Sequence, residues 1–272
     1  MSTLSQRLIP QSTFRRDLGL VAWQIRYEQR SYWRNRGRGI FTFVFPIMFL
    51  AIFASLDKGQ TISTRGNIAF NDFFVPGILA YGVIATTFVN LAIGTAILRD
   101  QGILKRMQGT PLPRWAYIAA RIGSTFLIMM AMTVVVLGLG AAVWGLDFRA
   151  ASVPGLIITL LLGTAAFTTL GIGIARFIPN SEAAPVVVNL MILPLTFISN
   201  IWFPVDSLPQ ALKTIAGIFP IKALADGLQY VFDPRHHGVG VSGQDIKVLA
   251  IWTVVGIFLM LRFLQKPMGD VA

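Results

Sequence analysis

The chain has 272 residues, of which 54% are hydrophobic, only 13% are charged and none is cysteine. Soluble domains carry roughly a quarter charged residues, so a chain this apolar calls for lipid as its solvent, and the missing cysteines exclude disulfides and thiolate metal sites. The formal net charge of +11 does not point to nucleic acid, because the basic residues cluster beside apolar runs, as they do in the cytoplasmic loops of membrane proteins.

Residues 1–38 are Arg-rich, with Arg7, Arg15, Arg16, Arg26, Arg30, Arg34, Arg36 and Arg38 preceding a first apolar run that begins only near Gly39, which is too late for a secretory signal peptide. Within them, residues 18–32 read as an amphipathic helix lying in the inner leaflet. Leu18, Val21, Ala22 and Ile25 share one face, Arg26, Glu28 and Arg30 are polar, and Tyr32 and Trp33 sit at headgroup level. A plain basic tail held by anionic lipid is the other reading.

A spanning helix needs about 20 apolar residues. Runs at 39–56, 73–98, 122–146, 150–175 and 183–205 meet or approach this, and a shorter run at 248–261 is flanked by Lys247 and Arg262, whose stems reach the interfaces. The expectation is an all-α integral membrane protein with six transmembrane helices. It forms one domain over 1–272, with a six-span bundle at 39–264 and a cytoplasmic tail at 265–272. Arg99, Lys105, Arg106 and Arg114 mark the loop after the second run as cytoplasmic, and Arg176, Arg262 and Lys266 extend the pattern. Both termini are then inside.

The first run carries Phe41, Phe45, Phe49 and Phe53 at four-residue spacing, with Pro46 able to bend it. Packing or lipid contact is the ordinary reading of such a stripe; an aromatic wall along a hydrophobic route is the sharper one. The spans hold almost no ionisable groups, whereas gradient-driven carriers keep buried acids or broken helices at the midplane. Their polar residues are neutral: Thr86, Thr87 and Asn90 in the second run, and Asn189, Ser199 and Asn200 in the fifth. Such groups ordinarily hydrogen-bond between helices. Thr86, Asn90, Asn189 and Asn200, with Phe41, Phe45 and Phe49, are the candidates for a substrate path. Arg121, just inside the third run, is expected to snorkel to the inner surface.

The segment 203–246 has helical apolar spacing at Leu212, Ile215, Ile218, Phe219, Leu224 and Leu228, punctuated by Pro204, Pro209 and Pro220. It reads as a pair of short helices dipping into the outer leaflet, shielded from lipid by protein. No phosphate-binding GxxxxGK[ST] loop occurs, and the adjacent His236 and His237 cannot make the i, i+4 zinc pair of HExxH. No nucleophile–base pair is evident either. No catalytic residue, metal site or cofactor is therefore expected in this chain.

The loop after the second run is the most specific feature. It reads Leu98-Arg99-Asp100-Gln101-Gly102-Ile103-Leu104-Lys105-Arg106-Met107-Gln108-Gly109-Thr110-Pro111-Leu112-Pro113-Arg114. Ile103, Leu104 and Met107 share one side of a short helix that Gly109 and Pro111 end. A short apolar-studded helix on the cytoplasmic face is expected to dock into a partner's groove.

This loop resembles the R-[DE]-x-G-x-L-x-x-x-x-x-T-P-L segment of ABC-2 type permeases, the membrane subunits of ATP-binding-cassette exporters. Ser199-Asn200-Ile201-Trp202-Phe203-Pro204, with Leu208-Pro209 and Phe219-Pro220, is similar to that family's other signature. Leu104-Lys105-Arg106 and Gly109-Thr110-Pro111-Leu112 most resemble the daunorubicin-resistance drug and lipid exporter branch, although Lys105 stands where many relatives carry an acid. The resemblance implies that Arg99, Asp100, Gly102, Leu104, Lys105, Arg106, Met107, Gly109, Thr110 and Pro111 form a coupling helix, and that residues 18–32 form the connecting helix. It further implies two partner ATPase subunits, which would carry the ATP and Mg, and a second permease copy or paralogue in a bacterial plasma membrane. The cargo implied is a hydrophobic or amphiphilic drug-like molecule or lipid moving outward. A polysaccharide or glycolipid exporter of the same superfamily is the neighbouring alternative, and a gradient-driven carrier a more distant one.

Overall fold

The structure, a computed structural model, describes residues 14–56, 61–62, 68–108, 113–144, 148–233, 235 and 238–265, and the statements below concern these. His236, His237, Gly109, Thr110 and Pro111 lie outside them, as do the side chains of Phe41 and Met107.

Helix α1 (Phe14–Arg34) is followed by α2 (Arg36–Leu56). Two-residue strands β1 (Thr61–Ile62) and β2 (Ile68–Ala69) pair antiparallel before α3. This hairpin rim is too short to alter the all-helical character. The second apolar run is continuous through α3 (Phe70–Ile84), a π-helical turn at Ala85–Val89 and α4 (Asn90–Asp100). The short α5 (Ile103–Gln108) leads to α6 (Arg114–Trp144), then α7 (Val153–Ile174), α8 (Ala184–Phe197), α9 (Gln210–Ile218), α10 (Pro220–Phe232) and α11 (Gly243–Gln265).

Four helical stretches are long and apolar enough to cross a bilayer: Asp72–Asp100, Trp115–Val143, Ala150–Phe177 and Gly243–Phe263. The remaining two runs form shorter apolar helices, Thr42–Phe53 and Ala184–Phe197. At about 1.5 Å per residue the 14 residues of α8 rise only about 21 Å, short of a hydrocarbon core about 30 Å thick. The fifth run was expected to continue to residue 205. It stops at Phe197 because Asn200 takes a left-handed conformation (φ 58°) and commits its polar groups elsewhere.

The segment expected as two short helices folds as the bent pair α9 and α10, which meet at 92° across Phe219. Pro220 opens α10, where its missing N–H costs nothing. Ile221, Leu224 and Leu228 are buried, and α10 packs on α3, α7 and α11, so protein covers its backbone at bundle depth.

Helix α7 is the hub: 72% of its span is buried, against 22% for α11. It packs most extensively on α11, along a seam of small residues. A Cβ added at Gly173 would come 2.9 Å from Leu259 Cβ, and one at Gly256 would run into the Thr169 side chain. Gly256→Val is therefore expected to lower stability by about 1–3 kcal/mol. Gly138→Val on α6, where an added Cβ meets nothing within 4 Å, should leave it unchanged. Thermal unfolding of the two variants in detergent compares them directly.

Candidate functional site

The loop between α4 and α5 turns at Gly102, whose φ of +69° suits glycine. Just before it, Arg99 leaves its own helix and takes up the carbonyls at the end of α7. Its Nη1 donates to Ala175 O (2.9 Å) and Ile178 O (2.8 Å), and its Nη2 to Pro179 O (3.2 Å). A cation on the orphan carbonyls of a helix C-terminus is favoured twice, by hydrogen bonding and by the helix dipole. Asp100 pairs with Arg99 (2.9 Å) and accepts from the Ser181 N–H (2.6 Å), three residues before α8. The two residues clasp the end of α4 to both α7 and α8.

The side chain of Leu104 points inward. It is buried with Leu91, Tyr117, Ile118, Ile172, Met260 and Phe263, whereas the sequence suggested an outward docking face. The physical reason is that α5 lies across the ends of α4, α6, α7 and α11, where a leucine finds apolar neighbours of its own chain. What α5 presents outward is the exposed pair Lys105 and Arg106.

Arg121 finds its partner within the protein. It reaches α1, where its Nη1 lies 3.1 Å from Glu28 Oε1. Beside it, Gln29 Nε2 donates to Ser124 O (2.7 Å) and Oγ (3.2 Å). The face of α1 turned to α6 thus includes the polar stripe Gln24, Glu28 and Tyr32, while Leu18, Trp23 and Tyr27 stay exposed. Of the apolar face expected at 18–25, Ile25 packs inward, 2.9 Å from where a Cβ on Gly123 would stand. Two isolated charges, an acid in an Arg-rich stretch and a base in an apolar run, were the sequence signal that could have paired them. A cavity of about 430 Å³ lies here, lined by α1, α4, α6 and the π-helical turn, and reaching from Gln101 to Thr86. Thr86 and Asn90 both line it.

A second cavity, about 810 Å³, opens at the opposite end of the bundle, and polar residues outnumber apolar ones in its wall, among them Asn200, Lys222, Asp226, Gln229, Arg235 and Asp245. Asn200 holds it together. Its Nδ2 donates to Asp226 Oδ1 (2.6 Å), its Oδ1 accepts from Val205 N–H (2.8 Å) and its carbonyl accepts from Gln229 Nε2 (2.6 Å). Asp226 also pairs with Lys222.

The remaining candidates separate. Phe45, Phe49 and Phe53 are half-buried and continue into one aromatic cluster with Phe74 (4.1 Å from Phe53), Tyr81 (5.4 Å from Phe45) and Trp202 (5.4 Å from Phe49). Asn189 joins neither cavity; it is exposed on α8 and its amide donates to its own helix at Pro185 O (2.8 Å). No group of three or more His, Cys, Asp or Glu side chains able to hold a metal occurs among the described residues.

Residues 20–232 match the family profile described as ABC-2 type transporter. The chain belongs to the ABC-2 type transporter family. It is 21% identical over 217 residues to the inner membrane transport permease YadH of Escherichia coli K12, covering 80% of each chain. It is 22% identical over 252 residues to the putative transport permease ycf38 of Porphyra purpurea, with 87% and 86% coverage. Nodulation protein J of Rhizobium leguminosarum bv. trifolii is 26% identical over 216 residues, with 76% and 78% coverage. The loop between α4 and α5 and the 430 Å³ cavity fall inside the matched stretch, as does the wall of the larger cavity apart from Asp233, Arg235, Gln244 and Asp245. Members of this family are membrane subunits that work with ATPase partners.

Two outcomes follow from the geometry. Leu104→Asp should destabilise the permease by more than about 3 kcal/mol, because it buries a charge without a partner, while Lys105→Glu and Arg106→Glu should fold normally; size-exclusion profiles and melting in detergent distinguish them. At Asn200, Gly tolerates the positive φ that Ala does not, so Asn200→Ala should melt below Asn200→Gly by about 1 kcal/mol, with both below the native protein.

Proposed function

We propose that this chain is the transmembrane permease subunit of an ATP-driven exporter that moves a hydrophobic or amphiphilic molecule outward across a bacterial plasma membrane. In this reading all six apolar runs serve as spans, α2 and α8 included, and both termini and α5 lie on the cytoplasmic side. Two separate ATPase subunits hydrolyse ATP, and a second permease copy or paralogue completes the pathway. Helix α1 is the connecting helix and α5 the coupling helix.

The observation that carries this reading is the Arg99–Asp100 clasp. A push on the exposed Lys105–Arg106 face is delivered through it to α7 and α8 together, and so to the hub of the bundle. ATP-driven closure of the partner then shifts the balance between two packings of the spans by its differential affinity for them. The basic outward face of α5 suits an acidic groove on the ATPase. Thr86, Asn90, Phe45 and Phe49 are the cargo-facing candidates of the hydrophobic route, with Asn200 nearer its exit. Export of a polysaccharide or glycolipid is the second reading, favoured by the polar 810 Å³ cavity around Asn200 and Asp226.

Co-expression with the cognate ATPase tests both links. The native permease should co-purify with it and support ATP-dependent transport into inside-out vesicles, while Lys105→Glu with Arg106→Glu should lose the ATPase and keep its fold. Asp100→Ala should retain the ATPase and lower transport per ATP by about tenfold, the factor for roughly 1.4 kcal/mol of lost coupling. Transport that persists without ATP under an imposed proton gradient would contradict the reading. Drug-like and lipid cargoes against oligosaccharide cargoes in the same vesicles decide between the two substrate classes.

A further inference from the structure

The 430 Å³ cavity beside α1 contains a charged centre that neither the coupling path nor the clasp uses. Arg121 stands in α6, seven residues after the helix begins at Arg114 and so about 10 Å along its axis. A guanidinium offers five N–H donors. In this site one ion pair, to Glu28, is formed, and the buried Nε has no hydrogen-bond partner. About a fifth of the Arg121 side chain remains accessible, and Arg121 lines the cavity. A charge at this depth is costly unless its donors are satisfied; the Nε itself is buried, so a ligand in the cavity would meet the accessible part of the side chain, beside the pair with Glu28.

The lining of the cavity is mixed polar and apolar. Polar groups of Glu28, Arg121 and Ser124 meet at one wall, and Leu91, Leu98 and Ile128 supply apolar wall beside them. Tyr27 and Ser31 on α1, and Asn90 and Ile97 on α4, line the cavity and are exposed, so it is open between these two helices. The π-helical turn at Ala85–Val89 widens the span here, as such turns do at many functional sites. The volume lies within the usual range of small-molecule pockets, about 300–1,000 Å³.

We infer that this cavity binds the headgroup of a zwitterionic phospholipid, with the phosphate accepting from Arg121, the ammonium facing Glu28, and an acyl chain running along Leu91 and Ile128. The charge balance selects the class. Arg121 and Glu28 together are neutral, so an anionic head gains a guanidinium but meets a carboxylate, whereas a head carrying both signs is complementary to both. The inference concerns the permease in the bilayer and holds whether or not the chain exports anything.

The test uses the full-length purified permease in detergent, titrated with dioleoyl phosphatidylethanolamine, dioleoyl phosphatidylglycerol and soluble glycerophosphoethanolamine, and read by native mass spectrometry and lipid-dependent melting. The native protein should bind the ethanolamine lipid about tenfold more tightly than the glycerol lipid, and the soluble head much more weakly than either. Glu28→Gln leaves an unbalanced guanidinium and should invert the preference. Gly94→Leu provides a check that does not disturb the ion pair. Gly94 lines the cavity and an added Cβ there meets nothing within 4 Å, so the leucine should fold, fill the space and weaken ethanolamine-lipid binding about tenfold or more. Equal binding of the two lipids, an unchanged preference in Glu28→Gln, or full binding in a folded Gly94→Leu would overturn the site. Soluble head binding as tightly as lipid would overturn its assignment to a lipid.

Discussion

The hydrocarbon core of a bilayer supplies no water, so each polar group carried into it must find its partner within the protein. That constraint organises this permease more than any single packing contact. Arg121 enters the bundle in α6 and draws Glu28 of α1 against it, which fixes how α1 lies on the bundle. Thr87 and Thr169 return their hydroxyls to carbonyls of their own helices, and Thr125 meets Thr168 across α6 and α7 at 3.0 Å. The bent pair α9–α10 is admitted to the bundle because α3, α7 and α11 cover it.

The same rule explains two groups of polar contacts at opposite ends of the bundle. At one end Arg99 takes up, from a different span, the carbonyls of Ala175 and Ile178 in the segment that follows α7. An interaction needed for solvation thereby becomes a mechanical link between α5, α7 and α8. At the other end of the bundle, Asn200 ends the short α8 stretch and joins it to α10 through Asp226 and Gln229. Between these ends the α7–α11 seam is close and stiff, since glycines bring the backbones together. The π-helical turn is packed as closely: a Cβ on Gly171 of α7 would stand 2.8 Å from Phe88 O.

Sequence by itself determined the solvent and the apolar runs, because hydropathy is a property of local composition. It also brought out Pro220 as punctuation, and Pro220 opens α10; the turn at Gly102 before α5 came only from the structure. Tertiary structure decided which way side chains face. Leu104 reads as a docking residue until four helix ends are seen to surround it, and Glu28 reads as part of a solvated face until Arg121 stands opposite. Asn90 and Thr86 line a common cavity with residues of α1 and α6, while Asn189 bonds to its own helix, although all three are neutral polar residues in apolar runs. Local pattern specifies a helix and its apolar content; the identity of a partner 76 or 95 residues away, as for Arg99 with Ala175 or Gln29 with Ser124, follows only from how the helices pack.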